Sequence, residues 1–154
     1  RLAWYRERIL DLKITPEVRA VLSPTIPAAA TYFGLVFLLG FALGTLRVTL
    51  LEPSLGSATA TLIELPFMLA ACWPICGWTL RRWSVPRTAS ARLLMGLLAF
   101  ALLLSAEALL GVLGFGRSLA DQWAATTSPP GMMGLAAQGI FALFPLAHLF
   151  IRND

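Results

Sequence analysis

With 154 residues, 58% of them hydrophobic and only 13% charged, the chain has too little polar surface to clothe a water-soluble globule; a soluble domain devotes about a quarter of its residues to charge. A mean hydropathy of +0.76 points to a bilayer as the alternative solvent, in which a spanning helix needs about 20 predominantly apolar residues. The net charge of +4 does not call for a nucleic-acid partner, because the cations cluster by loop in the manner of a topology signal.

Leu2, Tyr5, Ile9 and Leu12 recur at the spacing of one helical face, with Arg6, Glu7, Arg8, Asp11 and Lys13 around the rest. Residues 1–26 therefore read as an amphipathic helical segment lying at the cytoplasmic interface. Trp4 and Tyr5 suit the headgroup level, where an apolar ring body and a polar tip are both satisfied. Thr15-Pro16-Glu17 is a helix start, with Thr15 as cap and Pro16 in the first turn. The helix it opens is expected to end near Ser23-Pro24.

Residues 27–154 read as a four-span transmembrane domain, with spans at about 28–51, 58–80, 90–114 and 132–151. The first apolar run is long enough to span and follows a charged segment, unlike a cleavable signal peptide. It contains Gly40 and Gly44, a spacing that lets two helix backbones approach closely in lipid. Arg47 continues the same face one turn on. A tight connection at Glu52-Pro53-Ser54-Leu55-Gly56 leads into the second span, where Glu64, Met68, Cys72 and Cys76 fall at helical spacing. Glu52, at the end of the first span, reads as an ordinary interface residue. Pro66 and Pro74 each remove a backbone donor and are expected to bend or open the second helix. Trp78, Arg81, Arg82 and Trp83 form an aromatic and basic anchor at its end.

After a short link with Pro86 comes the third span, in which Gly111 and Gly114 continue the face of Glu107. Phe115 to Gly131 is the one long external segment, with Ser118 capping a short helix through Asp121 and Trp123. In the fourth span Gln138, Phe141, Pro145 and His148 share a face. Arg1, Arg6, Arg8, Lys13 and Arg19 precede the first span, Arg81, Arg82, Arg87 and Arg92 lie around the second connection, and Arg152 follows the fourth. The other two connections offer only Arg117. This alternation places both termini in the cytoplasm and suits a bacterial-type inner (plasma) membrane.

Counted inward from the external ends, Arg47 lies about 6 Å deep, Glu64 and Gln138 about 9 Å, and Glu107 about 10 Å. Each span thus contributes one strongly polar residue to a common layer. A charge at that depth is costly unless paired, so Arg47 is expected to bridge one or both carboxylates, and a shared Arg47 leaves one carboxyl able to hold a proton at neutral pH. Such a layer serves either as a structural latch or as an ion or proton path.

Cys72, Cys76 and His148 supply three soft ligands without a recognised metal spacing, and no cofactor site is expected. There is no nucleophile with its base, no HExxH and no phosphate-gripping glycine loop, so the chain does not read as an enzyme. The fold expected is an all-α integral membrane protein, a four-helix bundle behind an amphipathic segment. Its expected role is that of an accessory or assembly subunit whose partners are the bilayer and other membrane subunits, or further copies of itself. The alternative is a small oligomeric ion- or proton-coupled transporter or channel, with Glu64 and Glu107 in the path and Arg47 as counter-charge.

Overall fold

The computed structural model describes residues 15–151, so the amphipathic face of Leu2, Tyr5, Ile9 and Leu12 lies outside the described residues. Those residues are all-helical apart from short connecting links, with no strand among them. In chain order they form α1 (Pro16–Leu46), a first π-helical turn (Arg47–Leu51), α2 (Glu52–Leu55), α3 (Ser57–Arg82), α4 (Ala89–Leu109), a second π-helical turn (Leu110–Gly114), α5 (Leu119–Thr127) and α6 (Pro129–Ile151). Among the described residues, four stretches are long and apolar enough to cross a membrane: Pro16–Leu55, Ser57–Arg82, Ala89–Gly114 and Pro129–Ile151. Each contains one of the four expected spans.

Thr15 caps α1 as its sequence predicts, its hydroxyl oxygen accepting from the Val18 N–H at 3.4 Å. The expected stop near Ser23-Pro24 is absent, and α1 runs through Pro24 and Pro27 as one helix. A proline inside a helix costs about 3 kcal/mol in lost bonding and crowding. Here Thr25, between the two prolines, and Ala28, Ala29 and Tyr32, just beyond them, are all buried, and the burial of that face outweighs the local preference to stop. Pro66 and Pro74 likewise sit inside an α3 that remains α-helical from end to end. The departures from α-helical bonding fall instead at the two π turns.

The long helices pack as a ring in which α1 and α6 are each flanked by α3 and α4. The centre of the core is the stack of Tyr32 on Phe141, 4.4 Å between centroids, surrounded by Val36, Cys72, Cys76, Met95 and Ala99. Pro145, one turn after Phe141, has no N–H to give to the Phe141 carbonyl. The Tyr32 hydroxyl, 3.2 Å away, donates to that carbonyl in its place. A defect in α6 is thus repaired from α1, across the ring. The same half of the bundle is closed by Arg92, which is only 7% exposed. Its Nε donates to the Pro86 carbonyl at 3.1 Å and its Nη2 to the Val85 carbonyl at 3.3 Å, fixing the link between α3 and α4.

Helix α4 approaches α6 closely at Gly96, where a Cβ would run into the Ala142 carbonyl oxygen. At the other end of the bundle Gly56, with φ of 77°, makes the turn from α2 into α3 in a conformation that suits glycine. Ser118 and Asp121 form a capping box at the start of α5, the Ser118 hydroxyl donating to Asp121 Oδ2 at 2.6 Å. Those bonds from Ser118 hold the Asp121 carboxyl below the usual aspartate range. Their contribution is therefore present above that range and is lost as pH falls through the lowered value.

Replacing Tyr32 by Phe should destabilise the fold by about 1–3 kcal/mol, because the Phe141 carbonyl is then buried without a donor. In a Pro145→Ala background, where the N–H is restored, the same change should cost less than half as much. Reversible unfolding in mixed micelles measures both, and equal costs in the two backgrounds would contradict the repair.

Candidate functional site

The polar residues expected to form one layer are found as two separate groups. In the first, Arg47 lies between two carboxylates: its Nε is 2.6 Å from Glu64 Oε2, and its Nη1 donates to Glu52 Oε1. The second joins α4 to α6, with the Gln138 amide Nε2 donating to Glu107 Oε1 at 2.7 Å. Arg47 thus meets one of the two intramembrane carboxylates expected of it, and Glu107 takes an amide instead. The Arg47, Glu64 and Glu52 side chains retain 24%, 15% and 27% exposure, so the ion pair is half-buried within this chain.

Glu52 is more than the ordinary interface residue its position suggests, and the backbone explains why. Residues five apart on an α-helix point about 140° away from each other. In the first π turn the Glu52 N–H bonds to the Arg47 carbonyl, five residues back, and the extra residue in the turn brings their side chains to one face. Glu64 then approaches from α3 across the hairpin. A cavity of about 190 Å³ opens beside the pair, lined by Leu43, Leu46, Arg47, Leu51, Ile63, Glu64 and Phe67. With two carboxylates to one guanidinium, the group carries a formal net charge of −1.

Around Glu107 the chemistry is different. No salt bridge to it occurs among the described residues, and its acceptor oxygen relies on Gln138. The other end of that amide, Gln138 Oε1, is buried without a hydrogen-bond partner among the described residues. One turn further along α4, the second π turn places Gly111 under the Gln122 side chain of α5, so that a Cβ there would strike the Gln122 amide oxygen.

The four glycines expected to line helix contacts divide evenly. A Cβ on Gly40 would touch Met68 of α3 at 3.1 Å, and Gly111 is covered by Gln122, whereas Gly44 has open space and Gly114 meets only the Leu110 side chain of its own turn. The two closest contacts fall outside those four, at Gly96 against Ala142 and Gly131 against the Ala125 carbonyl, and Gly77 lies beside His148. His148 donates from Nδ1 to the Phe144 carbonyl at 2.9 Å and stacks on Trp73 at 3.9 Å between centroids. Cys72 and Cys76 are buried as free thiols, and no group of three metal-binding side chains occurs among the described residues.

Comparison of the chain with protein-family models, with curated proteins and with solved structures finds no match. The two polar groups and the helix surfaces therefore carry the functional argument by themselves.

Gln138→Leu should destabilise the protein by about 1–3 kcal/mol, because the Glu107 carboxyl loses the Gln138 amide as donor. Adding Glu107→Leu should recover most of that loss, since no polar group is then left without a partner. Unfolding of the two variants in the same micelles checks this, and a double variant as weak as Gln138→Leu alone would show that Glu107 has another partner.

Proposed function

We propose that the chain is a small multi-pass membrane protein of a bacterial-type inner membrane, both termini cytoplasmic, working as an accessory or assembly subunit through helix packing. The observation that carries this reading is the uncovered second half of α1. Beyond Val36 no residue of α1 or of the first π turn is buried. Gly34 and Gly44 have open space where a Cβ would sit, and Leu38, Phe41, Leu46, Val48 and Leu50 are all more than half exposed. In lipid, small residues beside large apolar ones let the backbone of a second helix come close, and dispersion contacts then hold it. The polar groups support the same reading, because they are paired off within two neighbouring helix pairs rather than strung along one path.

A specific observation keeps the transport reading as the rival. Glu107 is a carboxyl with no cation beside it among the described residues, a condition in which a carboxyl can take up and release a proton. Such a path would need Glu107 to reach water on both sides in turn.

Native mass spectrometry of the tagged protein, extracted gently from its own membrane, discriminates the two. The expected result is a reproducible heavier assembly containing other polypeptides, reduced about tenfold in yield by Gly44→Leu, which removes the close approach. A monomer or closed homo-oligomer that conducts protons in liposomes, with flux abolished by Glu107→Gln, would overturn the subunit reading.

A further inference from the structure

We propose that Arg47, Glu52 and Glu64, with the cavity beside them, hold the headgroup of a phospholipid whose phosphate is followed by a primary ammonium. The inference rests on the membrane reading above and goes beyond it by assigning a ligand class to one site. Three observations converge on it.

First, the charges of the triad alternate. The guanidinium is flanked by a carboxylate on either side, leaving the group formally one unit negative. An ammonium restores neutrality, and its three N–H donors suit carboxylate oxygens. Second, the guanidinium has donors to spare. Of its five N–H groups, the two ion pairs engage Nε with Glu64 and Nη1 with Glu52, so others remain for a phosphate oxygen. A headgroup that carries an anion and a cation a few bonds apart satisfies both needs at once, while a simple anion or a simple cation satisfies only one.

Third, the site is amphipathic, with an ion pair set in an otherwise apolar wall. Arg47 and Glu64 line the 190 Å³ cavity between Leu51 and Ile63, which lie nearer the connection between α1 and α3, and Leu43, Leu46 and Phe67, which continue its wall toward the middle of the helices. Leu46 is 52% and Phe67 68% exposed, so this wall is open to the surroundings along the hairpin. An acyl chain lying against it would cover apolar surface while the headgroup stays with the triad. The first π turn gives the arrangement its basis in the fold, because it is what sets Glu52 on the same face as Arg47.

The chemistry sets an order among common headgroups. Phosphoethanolamine offers N–H donors to the carboxylates. Phosphocholine keeps the charge but has no N–H to donate. Phosphoglycerol carries no cation and adds a negative charge to a site that is already net negative.

The test uses the full chain, delipidated in detergent and offered dioleoyl phosphatidylethanolamine, phosphatidylcholine or phosphatidylglycerol, with bound lipid counted by native mass spectrometry. About tenfold higher occupancy by the ethanolamine lipid is expected, the size of effect that one charge-assisted hydrogen bond supplies. Glu52→Gln, at a half-exposed helix end, should bring the ethanolamine and choline lipids within about twofold of each other. Arg47→Gln should weaken all three; if that variant does not fold, Glu64→Gln, which keeps a hydrogen-bonding side chain beside Arg47, serves in its place and should also narrow the preference. Equal occupancy of the three lipids by the unaltered chain, or a preference that survives Glu52→Gln and Glu64→Gln together, would overturn the proposal. Alkaline extraction of the source membranes separates the two levels of failure. A chain released by the wash sinks the membrane reading itself, whereas a chain that stays in the bilayer without headgroup preference sinks only the lipid site.

Discussion

A polar group placed on a long apolar helix has to find its partner on a neighbouring turn or a neighbouring helix, because little water is at hand to supply one. That constraint accounts for most of the specific contacts in this bundle. The Phe141 carbonyl, deprived of a donor by Pro145, takes the Tyr32 hydroxyl from another helix. Arg92 turns its guanidinium onto the carbonyls of the link that precedes it. Arg47 gathers Glu52 and Glu64, and Glu107 is served by Gln138. The apolar contacts bring the helices together, and these bonds join particular faces of neighbouring helices.

The four apolar stretches were legible in the sequence because bilayer length and hydropathy leave few alternatives, and α3, α4 and α6 begin and end within a few residues of expectation. The short helix after Ser118 was legible for a local reason, its capping box. The continuity of α1 through Pro24 and Pro27 was not, since it depends on the burial of Thr25, Ala28 and Ala29 against helices far along the chain. Local propensity marks those prolines as a boundary, and tertiary packing overrides it.

The candidate site was half legible. Counting depths along straight helices brought Arg47, Glu64, Glu107 and Gln138 to one level, and each of them does bond to another of the four. What the count lacked was azimuth: a shared depth does not say which helices are neighbours, and the ring order puts Arg47 and Glu64 on one pair and Glu107 and Gln138 on another. Glu52 was missed because its pairing depends on a π turn, for which no residue pattern gives notice. The glycines teach the same lesson. Gly96 and Gly44 have the same chemistry, but only Gly96 lies where two helices cross closely, and the crossing point belongs to the pair of helices rather than to either sequence.

The functional account follows from this division of labour. One half of the bundle, built around Tyr32, Phe141 and Met95, is closed upon itself. The other half, where α1 runs on past Val36, leaves apolar surface and the half-buried Arg47 triad facing outward, the side on which a partner helix and a lipid are proposed to sit. The central claim is that Arg47 belongs to Glu52 and Glu64 and not to Glu107. Solid-state NMR in bilayers measures this directly, by dipolar dephasing between ¹⁵N-labelled arginine guanidinium and ¹³C-labelled glutamate carboxyl groups, assigned through single Glu→Gln variants. The account predicts that dephasing at Arg47 is lost in part with Glu52→Gln and in part with Glu64→Gln, and is untouched by Glu107→Gln. Dephasing that survives the first two changes and disappears with the third would contradict it.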